Sequence, residues 1–133
     1  MLAPSNRFPI ETSEHVVIFR QAVRERATQL GFSLVDLTKI VTASSELARN
    51  TIQHGGGGHA VIETVSDGAR HGVRLTFEDA GPGIADIEVA MREGYSTGGG
   101  LGLGLPGSRR LAHEFSITSA AGQGTRVVIT RWK

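Results

Sequence analysis

Seventeen of the chain's 18 glycines lie after His54, and this asymmetry constrains the fold more than any other feature. Average glycine usage is about 7%, and here it is nearly double that. The first part of the chain reads as regular structure. The remainder contains loops that need backbone conformations or close approaches denied to other residues. The tract Gly55-Gly56-Gly57-Gly58 reads as a loop, because the pieces on either side are too short to fold alone as linked units.

The length of 133 residues fits one domain, spanning 1–133, with room for a substantial core. Hydrophobic residues make up 39% and charged residues 20%, a globular balance. The formal charge of +1 lacks the basic surplus of a phosphate-backbone binder, so nucleic acid is not the expected partner. The absence of cysteine excludes disulfides, thiol catalysis and cysteine metal sites. No basic stretch followed by an apolar run opens the chain, and no segment approaches the ~20 apolar residues of a membrane helix. A cytoplasmic protein without a membrane partner is expected.

Phe8-Pro9-Ile10 predicts an edge strand, since Pro9 has no N–H to give. Thr12 or Ser13 then caps a helix from Glu14 to Leu30, closed by Gly31. Ser33 caps a second helix, with Asp36 at the capping-box position, running to His54. Its buried stripe is expected to be Leu37, Ile40, Val41, Leu47, Ala48 and Ile52. Ala60–Val65 and Val73–Glu78 alternate as strands around a turn at Asp67-Gly68. From Asp79 to Gly104 the chain is irregular, with one helical turn near Ile87–Arg92. A third helix is expected over Leu105–Glu114, with Pro106 in its first turn. Phe115–Ala120 and Thr125–Trp132 then form a hairpin. The order predicts an α/β two-layer sandwich: a mixed, mostly antiparallel sheet with about three helices on one face.

Three places could carry chemistry. Glu46 and Asn50 are four residues apart on the second helix, ~40° apart in projection, and so neighbours. A carboxylate beside a carboxamide suits a general base next to a magnesium ligand. The same pair also suits an ordinary solvated helix face, with Arg49 pairing locally. Asp79-Ala80-Gly81-Pro82-Gly83 follows a strand directly and makes a turn where backbone can lie close to something flat; such a segment is also a common turn. Gly98-Gly99-Gly100-Leu101-Gly102-Leu103-Gly104 leads into a predicted helix start, where free amides suit phosphate. Its letters include the dinucleotide fingerprint Gly102-x-Gly104-x-x-Gly107. That reading fails: no strand precedes it, and no acid follows Glu114 to hold a ribose. A Walker A loop is absent too, the only lysines being Lys39 and Lys133.

In order, Glu46-Leu47-Ala48-Arg49-Asn50, Asp79-Ala80-Gly81-Pro82-Gly83, Gly98–Gly104 and Gly124-Thr125 resemble the motifs of the GHKL (Bergerat-fold) ATP-binding proteins. The resemblance covers nearly the whole chain. Within that family the bare ATP-binding domain is similar to the anti-sigma and switch kinases. Glu78–Ile84, Gly94–Thr97, Gly100–Gly107, Glu114-Phe115-Ser116 and Trp132-Lys133 resemble most closely the RsbT-type stressosome serine/threonine kinases. The resemblance implies the GHKL fold, and ATP and Mg²⁺ as cofactors. By position, Glu46 would be the general base and Asn50 the Mg²⁺ ligand. Asp79 would accept a hydrogen bond from the adenine amino group, supported by Thr125, with Gly81 and Gly83 against the base. Gly98, Gly100, Leu101, Gly102, Leu103 and Gly104 would form the phosphate lid. The implied partners are STAS-domain proteins as substrates and a PP2C-type phosphatase activated in a stress response. The alternative implied by the resemblance is an anti-sigma factor that sequesters a sigma factor and phosphorylates its antagonist. The four-glycine tract departs from the expected pattern.

Overall fold

The computed structural model describes residues 6–84, 86–91 and 104–133. Strand β1 (Asn6–Ile10) leads into helix α1 (Ser13–Leu30) and helix α2 (Leu34–Gln53). Strands β2 (Gly58–Asp67) and β3 (Arg70–Asp79) form a hairpin. The short helices α3 (Ile87–Ala90) and α4 (Gly104–Arg110) precede β4 (Glu114–Ser119) and β5 (Thr125–Trp132).

Both long helices begin where their capping residues place them. The Thr12 hydroxyl accepts the His15 amide at 3.2 Å, and His15 Nδ1 accepts the Thr12 amide in return. Thr12 rather than Ser13 is therefore the cap, and such a cap contributes about 1 kcal/mol. Gly31, at φ 85°, closes α1 in the left-handed conformation that an L side chain resists. Ser33 Oγ accepts the Asp36 amide at 3.2 Å at the start of α2.

The strand order is β1-β2-β3-β5-β4, and all four pairings are antiparallel, so the described sheet is not mixed. β1 is an edge strand, as Pro9 requires. Alternation sends Ala60, Ile62, Val73, Leu75, Phe77, Val127 and Ile129 inward against α1 and α2. Phe19 of α1 is fully buried, edge-on to Phe8 at 5.5 Å and to Phe77 at 5.4 Å. Burying a side chain of this size contributes on the order of 1.5–3 kcal/mol.

Helix α2 differs from the single-stripe expectation. Leu37, Ile40, Val41, Leu47 and Ala48 are buried, and so are Ala43, Ser44, Ser45 and Thr51, while Ile52 is half-buried. α4 packs against α2 as α1 does, and the sheet covers it as well, so α2 has several neighbours. The small hydroxyls fit there because each bonds back to its own helix: Ser44 and Ser45 to Val41 O, Thr51 to Leu47 O. α4 is shorter than the expected Leu105–Glu114. It stops at Arg110 because β5 captures the next backbone groups: Arg131 Nη1 donates to Leu111 O, and the His113 amide to Thr130 O.

Candidate nucleotide site

The site gathers at the ends of α2, β3 and the β4–β5 hairpin. After its last turn α2 unwinds through the glycine tract: the Gly55 and Gly57 amides both donate to Thr51 O, and the Gly56 amide to Ile52 O. Gly58 then pairs with Asp79 in the β2–β3 ladder, and Thr125 pairs with Asp79 from the other side. Asp79 therefore ends a central strand with a neighbour on each flank.

Glycine is required around this carboxylate by lack of space. A Cβ on Gly55 would lie 2.2 Å from Asp79 Cγ and 2.5 Å from Oδ2. A Cβ on Gly81 would lie 2.6 Å from Gly55 Cα. The Gly81 amide donates to Asp79 Oδ1 at 3.0 Å, which fixes the carboxylate, and among the described residues no hydrogen bond reaches Oδ2. The tract that departed from expectation is thus part of the same contact. A helix end needs one glycine to stop. Four in a row signal that backbone is also being approached, a cue the sequence contains.

The turn after Asp79 is held by the hairpin. Pro82 O accepts the Gly122 amide at 2.6 Å, and Ser119 Oγ accepts the Ile84 amide at 2.8 Å. Gly83, at φ 75°, could not carry a Cβ, which would sit 2.0 Å from Ala120 O. Ser119 Oγ donates to Gly124 O at 2.8 Å. Its one proton is thereby used, so Thr125 is the donor in the 2.8 Å Ser119–Thr125 contact. Thr125 faces Asp79 across the ladder but bonds to Ser119, which the sequence reading did not single out. Ser119 is a serine among several in a hairpin, and nothing in its local pattern marks it.

Glu46 and Asn50 lie on α2 leading to this corner. Asn50 is half-buried, about 7.5 Å along the axis from Gly55, and Glu46 about 13 Å. The Glu46 side chain is only 16% exposed, so it does not lie on a freely solvated face. Arg49 Nη1 holds its Oε1 at 3.2 Å, and among the described residues no hydrogen bond reaches Oε2. Gly104, at φ 66°, starts α4, whose Pro106, Gly107 and Ser108 are buried. Gly98, Gly100, Leu101, Gly102 and Leu103 lie outside the described residues.

These donors fit a nucleotide with magnesium. One carboxylate is fixed at a strand end between glycines, and one carboxamide oxygen lies along the adjoining helix. Magnesium keeps several waters and takes one or two protein oxygens beside substrate phosphates, so a lone Asn suffices. A separate cavity of about 440 Å³, lined by Asp36, Arg70, His113, Glu114, Trp132 and Lys133, lies at the opposite end of the sheet.

Comparison with known proteins bears on the family and the fold. A family described as histidine kinase-, DNA gyrase B-, and HSP90-like ATPase matches residues 35–133. The serine/threonine-protein kinase RsbT of Bacillus subtilis is 48% identical over 123 residues, 92% of each chain. An anti-sigma F factor of Bacillus licheniformis is 32% identical over 90% of this chain and 85% of its own. Among solved structures, the RsbU and RsbW domains of a Mycobacterium tuberculosis protein superpose with a TM-score of 0.65 at 22% identity, over 98% of this chain and 33% of that one. The SiaB–SiaC complex of Pseudomonas aeruginosa superposes with a TM-score of 0.57 at 11% identity, over 99% of this chain and 91% of that one. These last two likenesses concern the fold.

Proposed function

Since the chain belongs to the histidine kinase-, DNA gyrase B- and HSP90-like ATPase family and is an ATP-using serine/threonine-protein kinase within it, we propose that the Asp79 corner holds adenine and that Glu46 is the general base. The observation that carries this reading is the Asp79 carboxylate, fixed by the Gly81 amide and packed on Gly55, at the end of the helix that bears Asn50 and Glu46. An adenine amino group donates to Asp79 there, while Gly81 and Gly83 keep the turn free of side chains. The phosphates would face α2, along which Asn50 and Glu46 lie, and the Gly98–Gly104 segment would supply amides to them.

Asn50 would hold the Mg²⁺ that arrives with ATP, and that ion supplies neutralisation of phosphate charge. Glu46 Oε2 accepts the proton of a substrate serine or threonine hydroxyl as its oxygen forms a bond to the γ-phosphorus. The bond to the β–γ bridging oxygen breaks, and ADP leaves. Catalysis of this kind rests on positioning and charge stabilisation.

The substrate is proposed to be a STAS-domain protein, with a PP2C-type phosphatase as the partner activated on release. The 48% identity to a serine/threonine kinase, against 32% to an anti-sigma factor, favours this switch over sigma-factor sequestration. No helix among the described residues is long and apolar enough to cross a membrane, and we assign the reaction to the cytoplasm.

The test is Glu46→Gln. It should keep ADP affinity and lose phosphoryl transfer to a STAS protein by ~10²–10⁴-fold. Transfer at the wild-type rate would remove the base role.

A further inference from the structure

Strand β5 sends Val127, Ile129 and Arg131 to the core side in alternation, so an arginine stands where the pattern supplies an apolar residue. Its side chain is 8% exposed. Nη2 donates to Asp36 Oδ1 at 2.6 Å, and Nη1 to Leu111 O at 3.0 Å. Nε is buried and meets no acceptor among the described residues, so the two Nη bonds set the group's placement.

The two partners belong to different elements. Asp36 is in the first turn of α2, where Ser33 also donates to its Oδ2 at 3.0 Å. Leu111 is the residue that closes α4: its amide donates back to Gly107 O and Ser108 O, and its own carbonyl is one that a helix end leaves without an intrahelical donor. A cation at that end also opposes the negative pole of the helix. The same stretch of β5 holds the following link as well, through the His113 amide to Thr130 O and the Trp132 amide to His113 Nδ1 at 2.9 Å.

One planar guanidinium thus fixes the start of α2 to the end of α4. α2 carries Glu46 and Asn50 further along, and α4 begins at Gly104, where the glycine-rich segment ends. The fork lies about 15 Å along α2 from Glu46 and touches no reacting atom.

We propose that Arg131 is a positioning residue for phosphoryl transfer: by tying Asp36 to Leu111 O it sets α4, and with it the anchored end of the phosphate-covering segment, at a fixed place against the helix that carries the base. The proposal rests on the assignment of Glu46 as base and Gly104 as the end of the phosphate segment. The Asp79 corner is braced by the β4–β5 turn and Gly55, which the fork does not touch, so adenine binding should be independent of it. Lysine cannot replace the function fully, because a point charge on a flexible stem does not hold two partners in one plane.

The experiment measures ADP affinity by calorimetry and single-turnover transfer from ATP to a purified STAS protein. The variants are Arg131→Gln, Arg131→Lys, Asp36→Asn and the double variant Asp36→Asn/Arg131→Gln. Arg131→Gln should lower the transfer rate by ~10–100-fold, as small misplacements of reacting groups do. ADP affinity should stay within about twofold. Arg131→Lys should recover part of the rate. Asp36→Asn, at a half-exposed helix start, should fold and lower transfer, and the double variant should show less than the product of the single losses. If Arg131→Gln does not fold, Asp36→Asn decides. Wild-type transfer in the folded variants would overturn the proposal, as would ADP affinity falling in step with transfer. Normal transfer in Glu46→Gln beside impaired transfer in the fork variants would instead refute the base assignment and leave the fork standing.

Discussion

Alanine at Gly55 would put a methyl where the Asp79 carboxylate now lies. The new carbon would stand 2.2 Å from Asp79 Cγ, and the backbone at Gly55 is not in the left-handed region, so the whole effect falls on that contact. Carbon atoms rest at about 3.5–4.0 Å, so the carboxylate must retreat by at least about 1.3 Å. Gly81 lies too close to Gly55 for the turn to give way alongside it, and the Gly81 amide loses its acceptor. An adenine amino group held by Asp79 would lose the same acceptor, and a hydrogen bond to a charged acceptor is worth about 1.5–3 kcal/mol. ADP and ATP should therefore both weaken by roughly 10- to 150-fold. The neighbouring residue gives the contrast. Gly56 has φ 74° and nothing within 4 Å of a Cβ. Gly56→Ala should cost about 1–2 kcal/mol of stability through backbone strain, some 4–8 °C in Tm, and leave affinity unchanged. Calorimetry with both nucleotides and thermal unfolding of both variants separate the two effects. Wild-type ADP affinity in folded Gly55→Ala would show that Asp79 does not face the base.

Asp79→Asn keeps the shape and removes the charge, so ADP and ATP should weaken by the same factor, roughly 10-fold or more by calorimetry; a loss confined to one nucleotide would rule out an adenine contact. His113 is held below its ordinary pKa of 6.5, first by burial and then by the Arg131 guanidinium, with Arg70 and Lys39 adding to it and Asp36 opposing. The fold thus favours the neutral ring, whose stabilisation is complete above 6.5 and is lost as pH falls from there through the lowered value. Tm should drop as pH falls below about 6.5, and His113→Gln should flatten that part of the curve. An unchanged slope in the variant would assign the acid sensitivity to other groups.

The elements that were legible in the sequence are those whose signals are local. Thr12, Gly31 and Ser33 fix helix ends through bonds to residues three or four away, and alternation in β3 and β5 needs no knowledge of neighbours. The order of Glu46, Asn50, Asp79 and the glycine loop is what the proposed site rests on in the sequence. What local pattern could not carry was contact between distant segments. Ser44 and Ser45 are buried on a helix that meets α1, α4 and the sheet, which its own sequence does not reveal. α4 ends early because Arg131, twenty residues on, takes Leu111 O. Gly55 is a close-packing residue because Asp79 returns to it across a hairpin.

The β3–β5 pairing bears on how such a fold can change over time. Two adjacent central strands are joined through all of the chain between Asp79 and Thr125, including the Gly98–Gly104 segment proposed to bind the phosphates. Closing a flexible loop costs only about 0.6 kcal/mol more for each doubling of its length. New sequence could therefore be accepted between Ile84 and Gly104 with little loss to the sheet, the Ser119 brace on one side and the Arg131 fork on the other keeping both ends where they are. The fold thereby separates the part that can diversify, the connection between Ile84 and Gly104, from the part that must stay fixed, the Asp79 corner proposed to hold adenine.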